Sequence, residues 1–188
     1  LAANPLAIGQ SLEGLNRIAK LVAAMKDYAH PGADTKQPSD LNRAVEAAMV
    51  VSRNEWKYVA EVKCDLDPNL PPVNCHLQDI GQVLVNMIVN AAHAIEDRFG
   101  RGDGPQGCIQ LATKVVDGGV VIVVTDNGAG MTEAVQKRIF DPFFTTKDVG
   151  RGTGQGLPIS HRVVVDGHGG RIDVSSQPGV GTSFAIWL

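Results

Sequence analysis

At 188 residues the chain has room for one ordinary domain plus a short extra element. Apolar residues make up 44% and charged residues 20%, the balance of a soluble globular protein, and no run nears the ~18 apolar residues of a membrane span. With 17 basic and 20 acidic residues the net charge is −3, which disfavours a nucleic-acid surface, and three cysteines without a C-x-x-C pair and five histidines without an H-x-x-x-H spacing argue against a disulfide framework and a zinc site.

No signal-peptide pattern opens the chain, and Leu1 in place of an initiator Met points to a segment of a longer protein. Membrane segments in that parent are left open. Residues 11–29 read as one helix, with Leu15, Ile18, Val22, Met25 and Ala29 at spacings of 3, 4, 3 and 4. That heptad-like seam suits a helical hairpin or coiled-coil bundle, or a terminal helix packed on its own domain. His30-Pro31-Gly32 breaks it, and residues 32–38 read as a linker.

Asp40 is placed to N-cap a helix over about 41–53, and 58–66 alternates as a strand. After a loop with Pro68, Pro71 and Pro72, a long helix spans about 77–98 and closes at Gly100. Residues 108–116 and 120–125 read as a hairpin joined at Asp117-Gly118-Gly119. Val120 to Val124 is apolar on both faces and predicts a buried central strand. Residues 126–156 are glycine-rich, with a short helix near 133–139 and a mobile stretch expected at 148–156. A helix over 157–167 and two strands near 170–176 and 182–188 close the chain. The order predicts an α+β sandwich, a mixed sheet covered on one face by helices.

Four segments carry chemistry. On the long helix Gln82, Asn86, Asn90, His93 and Asp97 share one face at spacings of 4, 4, 3 and 4, while the other positions are nearly all apolar. Such a stripe faces solvent or a ligand, and a neutral asparagine oxygen suits Mg²⁺ held by phosphates. Asp126-Asn127-Gly128-Ala129-Gly130 follows the buried strand. It reads as a plain turn, or as a carboxylate for an exocyclic amine with glycines that let the backbone approach a flat base. Phe140 to Lys147 puts three aromatics within five residues, beside the cation Lys147. Gly150 to Pro158 alternates glycines before a helix, a weak anion-site signal that fits neither a Walker loop nor a dinucleotide fingerprint.

In this order the segments resemble the N, G1, F and G2 boxes of the GHKL ATP-binding superfamily, in the form of nitrogen-regulator-like bacterial sensor histidine kinases. The resemblance covers about residues 39–188 and implies a Bergerat-type sandwich that binds ATP and Mg²⁺. Asn90 would hold Mg²⁺, Asn86 would support the phosphate site, and His93 would lie near the phosphates. Asp126 would take the adenine amine, with Gly128, Gly130 and Met131 around the base and Thr182 at its edge. Thr145, Thr146, Lys147 and Arg151 would face the phosphates. Gly152, Thr153, Gly154, Gln155, Gly156 and Leu157 would supply the glycine loop. Residues 1–31 resemble the second part of a dimerisation and phosphotransfer hairpin, with 32–38 as linker.

The resemblance implies transfer of the γ-phosphoryl to a histidine outside this segment, for relay to an aspartate of a response-regulator receiver domain. It also implies a homodimeric, cytoplasmic working form of the full-length protein. No His-Glu pair of the family's acceptor segment occurs here. Asn86 replaces the glutamate base of hydrolytic relatives, and an amide cannot take up water's proton. An ATP hydrolase of the same superfamily and a non-catalytic nucleotide-binding scaffold are the alternatives.

Overall fold

The computed structural model describes residues 35–102, 107–147 and 152–188, so the heptad helix at 11–29 and Arg151 lie outside the described residues. Among the described residues, seven strands and five α-helices are arranged as a five-stranded sheet, a two-stranded ribbon and a helical layer.

The chain enters through β1 (Gln37–Ser39), in the stretch read as linker, which pairs antiparallel with β3 (Val73–Cys75). Helix α1 (Leu41–Val51) starts where Asp40 Oδ1 accepts the N–H groups of Asn42 and Arg43 at 2.9 and 3.3 Å. It stops two residues short of the predicted end, and α2 (Arg53–Trp56) follows as a separate turn. At the break, the Ser52 N–H and Oγ both donate to the Ala48 carbonyl, at 2.9 and 2.7 Å.

The large sheet runs β2 (Ala60–Leu66), β4 (Gly107–Val116), β5 (Gly119–Asp126), β7 (Gly181–Trp187), β6 (Arg171–Gln177) in spatial order. Only β2 and β4 are parallel, so the sheet is mixed as expected. The predicted hairpin forms, and β5 takes the central place its two-sided apolar pattern demands.

Helix α3 (Leu77–Phe99) buries Ile80, Val83, Leu84, Met87, Ile88, Ala91, Ala92 and Ile95 in one core with Leu41 and Val45 of α1 and Ile109, Leu111, Ile122, Phe184 and Ile186 of the sheet. Each fully buried Leu or Ile side chain stabilises by about 1.5–3 kcal/mol. Asn42 ties α1 to this layer. Its Nδ2 donates to the Asp67 carbonyl at 2.8 Å, and its Oδ1 accepts from Thr113 Oγ1 at 2.8 Å.

Near the predicted helix at 133–139 the structure forms α4 (Glu133–Gln136), shorter than expected. The predicted helix at 157–167 divides into α5 (Gly156–Arg162) and a π-helical turn, Val163–Gly167. Among the described residues no helix is long and apolar enough to cross a membrane.

Candidate functional site

A cleft of about 1250 Å³ opens between α3, the ends of β5 and β7, the Phe140–Lys147 segment and the glycine loop before α5. The polar stripe of α3 forms its floor: Gln82, Asn86, Asn90, His93 and Asp97 all line it. The solvent reading of that stripe therefore gives way to a concave site. At 1.5 Å of rise per residue, Asn86 to Asp97 spans roughly 16 Å of floor, enough for an extended nucleotide.

Asp126 closes one end. It is 8% exposed, and Gly128 N–H donates to its Oδ1 at 2.7 Å. Burial pushes its carboxyl up from 3.8 to about 6, against the smaller lowering effect of the Gly128 and Thr182 N–H groups. Beside it, Gly130 has φ +67°, and a Cβ there would lie 2.0 Å from the Gln177 carbonyl oxygen, so only glycine fits.

Gly128 is not among the residues lining the cleft; a Cβ there would collide with the Ala94 backbone at 2.5 Å, so this glycine lets the loop seat on α3. Ala129 N–H completes that seating by donating to the Ala94 carbonyl at 2.9 Å.

In the middle of the floor Lys147 reaches in from the opposite wall. Its Nζ donates to Asn90 Oδ1 at 3.2 Å and lies 2.9 Å from His93 Nδ1. His93 Nε2 in turn lies 3.7 Å from Glu55 Oε2, on a helix that none of the four motifs includes. The Asn90 oxygen thus already faces a cation, and this donor set fits Mg²⁺: a hard neutral oxygen in a cleft with room for phosphate ligands.

The amide of Asn86 is oriented by its neighbours. Its Oδ1 accepts from Gln82 Nε2 at 3.1 Å, and its Nδ2 donates to the Gly156 carbonyl at 3.3 Å and lies 3.4 Å from Ser160 Oγ. The amide of Asn86 thus ties α3 to the first turn of α5.

Gly154 has φ +64° and stacks against the Phe143 backbone, and Phe143 N–H donates to the Gly154 carbonyl at 2.9 Å. Gly152 packs on Thr145, where a Cβ would lie 2.7 Å from Oγ1. The three phenylalanines of Phe140–Phe144 point to different surroundings. Phe140 packs on His161 with ring centroids 4.7 Å apart, and Phe144 lies under Arg138. Phe143 is 67% exposed at φ +64°.

Of the site residues expected from sequence, Asn86, Asn90, His93, Asp126, Gly130, Met131, Thr145, Thr146, Lys147, the run Gly152 to Leu157, and Thr182 all line this one cleft. Sequence reasoning missed the residues that hold its edges. Arg98 Nη1 donates to the Asn127 carbonyl at 2.7 Å and the Val180 carbonyl at 3.1 Å, binding two loops to the end of α3. Ser176 Oγ accepts Met131 N–H at 2.8 Å and sits 2.9 Å from Thr182 Oγ1. Gln136 Nε2 donates to the carbonyls of Met131 and Ser176 at 3.1 and 2.9 Å. No spacing rule marks such side-chain-to-backbone links.

The family model for histidine kinase-, DNA gyrase B- and HSP90-like ATPases matches residues 76–188. The signal transduction histidine-protein kinase AtoS of Escherichia coli K12 is 34% identical over 179 residues, 94% of this chain and 28% of that protein. The C4-dicarboxylate transport sensor protein DctB of Rhizobium meliloti is 32% identical over 184 residues, 95% of this chain and 28% of that protein. The chain thus spans 28% of the length of each of these curated relatives. Among solved structures, the mycobacterial sensor histidine kinase MprB superposes with a TM-score of 0.66 at 25% identity, over 81% of this chain and 96% of that one. Full-length ShkA in complex with AMPPNP superposes with a TM-score of 0.72 at 25% identity, over 98% of this chain and 38% of that one.

Proposed function

The chain belongs to the histidine kinase-, DNA gyrase B- and HSP90-like ATPase family, and from that membership we propose that it is the ATP-loading half of a two-component sensor histidine kinase, passing the γ-phosphoryl to a histidine outside this segment. The observation that carries the reading is the shared cleft, with a buried carboxylate at Asp126 and, elsewhere along it, the Asn90 oxygen of α3 in contact with the Lys147 cation.

In this reading Asp126 accepts the adenine amine, and Gly130 and Met131 line the base pocket beside Thr182. The phosphates extend along α3 toward Asn90, with His93 and Lys147 beside them and the N–H groups of the glycine loop opposite. Asn90 would hold Mg²⁺, whose chemistry is to neutralise charge on the transferring phosphoryl group.

Asn86 favours transfer over hydrolysis. Both ends of its amide are engaged, and it has no basic lone pair for a water proton. The acceptor imidazole supplies the nucleophile instead. The product then serves the aspartate of a response-regulator receiver domain, with the parent protein working as a homodimer whose ATP domain faces the cytoplasm. AMPPNP occurs in the solved ShkA complex, which supports the nucleotide assignment here.

Isothermal titration with ADP and Mg²⁺, followed by incubation with γ-labelled ATP, tests the reading. Micromolar to submillimolar binding without steady phosphate release, and without acid-labile label on the isolated chain, is expected. Absence of binding at millimolar nucleotide would favour a scaffold, and steady phosphate release a hydrolase.

A further inference from the structure

The helix that carries Asn86 and Asn90 begins in an unusual way. His76 occupies its N-cap position but makes no side-chain cap hydrogen bond. Its own backbone N–H, one of the orphan donors of a helix start, donates to Nε2 of His168 at 3.0 Å, across 92 residues of sequence. The two rings meet edge to face, with centroids 5.6 Å apart.

His168 directly follows the π-helical turn Val163–Gly167. Its Nδ1 lies 2.7 Å from the Val163 carbonyl oxygen. A backbone N–H can only donate and a carbonyl can only accept, so both partners select one ring form: neutral, with the proton on Nδ1 and a lone pair on Nε2. Both polar atoms of the ring are then used, one on each of two elements.

Those elements form opposing parts of the cleft. Val163 follows α5 directly, and α5 begins with Gly156 at the end of the glycine loop. Near its first turn α5 is already tied to α3 by Asn86 Nδ2, which donates to the Gly156 carbonyl at 3.3 Å and lies 3.4 Å from Ser160 Oγ. The contact of His168 with His76 adds a tie beyond the other end of α5, and ties at both ends of a helix constrain its angle. Val164, close to the second tie in sequence, is fully buried. The π-turn is what brings the Val163 carbonyl within reach of the ring, and such turns recur where a helix end serves a site.

We propose that His168 is a positioning residue for nucleotide binding. It touches no nucleotide; it clamps the start of the asparagine helix to the segment after the glycine-loop helix, so that both walls meet one set of phosphates. The proposal rests on the nucleotide reading given above.

Three forms of the chain test it by titration with ADP and Mg²⁺. His168→Asn keeps a donor near the Nδ1 position but has nothing at Nε2; His168→Gln reaches the Nε2 position with its carbonyl oxygen. His168→Asn should bind about tenfold more weakly than the unchanged chain, and His168→Gln within about twofold of it. Equal affinity of His168→Asn and the unchanged chain overturns the proposal, as does a His168→Gln form as weak as His168→Asn.

Should His168→Asn fail to fold, amide hydrogen exchange on the unchanged chain decides. ADP should slow exchange at the His76 amide more than at Leu111 in the sheet core, because coupling between the clamp and the ligand is reciprocal. Equal slowing overturns the proposal. Failure of the unchanged chain to bind ADP overturns the nucleotide reading itself and the clamp's role with it, whereas normal binding with an insensitive His168 overturns only the clamp.

Discussion

The ammonium of Lys147 lies 3.2 Å from Oδ1 of Asn90 and 2.9 Å from Nδ1 of His93, so an internal cation occupies the oxygen proposed for Mg²⁺. A divalent ion at that oxygen would stand beside a like charge, and the lysine must move toward the phosphates as the ion arrives. Lys147→Met removes the charge but keeps a flexible stem. Affinity for ATP with saturating Mg²⁺ should fall about ten- to a hundredfold, the scale of one charge-assisted hydrogen bond. The Mg²⁺ concentration giving half-maximal ATP binding should fall as well, because the internal competitor is gone. Titrating MgCl₂ against fixed ATP by calorimetry measures both, and an unchanged or higher Mg²⁺ midpoint would contradict the competition.

Removing the metal has a separate expected effect. With EDTA present, the unchanged chain should lose affinity for ATP more than for adenosine, because only ATP carries phosphates that share an ion with Asn90. Equal losses for the two ligands in parallel titrations would place the ion elsewhere.

Asp126 gives folding and binding opposite pH dependence. Burial raises its carboxyl from 3.8 to about 6, so the protonated form is favoured in the fold. That stabilising contribution is fully present below 3.8 and is lost as pH rises through about 6. Adenine binding needs the carboxylate as acceptor, so nucleotide affinity should rise across the same window. Asp126→Asn should raise the stability of the nucleotide-free chain near neutral pH by about 1–3 kcal/mol, since about 1.4 kcal/mol accompanies each pKa unit. The same change should weaken ADP binding about tenfold or more and flatten its pH profile. Thermal melts and titrations at about pH 5, 6 and 7.5 check both signs. Parallel slopes for folding and binding would contradict the assignment.

The glycines of the site divide by what surrounds them. At Gly130 a Cβ meets the Gln177 carbonyl oxygen at 2.0 Å in a left-handed backbone, whereas at Gly156 the nearest atom is Asn86 Cγ at 3.6 Å, an ordinary contact. Gly130→Ala should destabilise by about 2–4 kcal/mol, from strain and the displaced loop, while Gly156→Ala should stay within about 1 kcal/mol. Urea unfolding at neutral pH separates them; similar losses would mean that the loop beside Gly130 relaxes freely.

Much of this site is legible in the sequence because its signals are periodic or concentrated. The stripe from Gln82 to Asp97 stands out on a helix whose remaining face is apolar, and β5 shows its central place by being apolar on both sides. What escaped is carried by single side chains that reach backbone far away in sequence. Arg98 meets Val180 across 82 residues, and Thr113 meets Asn42 across 71. Neither leaves a spacing or a composition to read. Pairing of short strands is similarly silent: β1 and β3 carry three residues each, too few for alternation to show. The early end of α1 at Val51 sits beside Ser52, whose N–H and Oγ share the Ala48 carbonyl, a local arrangement that propensity does not reveal. Gly128 was visible as a glycine, but which backbone it lets approach depends on α3 lying behind it.

Asn86 offers a direct test of the proposal that this cleft transfers rather than hydrolyses. A glutamate at this position would supply the base that hydrolytic relatives use, which predicts from sequence alone that Asn86→Glu should gain ATPase activity. The structure predicts otherwise. Asn86 Nδ2 is a donor to the Gly156 carbonyl, and Ser160 Oγ close by already donates to that carbonyl at 2.8 Å. A glutamate has no donor to offer there, and its charge would face the carbonyl across the clamp between α3 and α5. The cost should be about 0.5–1.5 kcal/mol for the lost hydrogen bond, with the repulsion between the carboxylate and the carbonyl oxygen added to it. Asn86→Glu should therefore melt at lower temperature, bind ADP more weakly and release no more phosphate than the unchanged chain. Asn86→Gln, which keeps the donor on a longer stem, should lose less. A coupled phosphate-release assay with parallel melts decides the matter: steady turnover by Asn86→Glu with unchanged stability would mean that the amide is not structural and that the missing carboxylate alone separates this chain from the hydrolases.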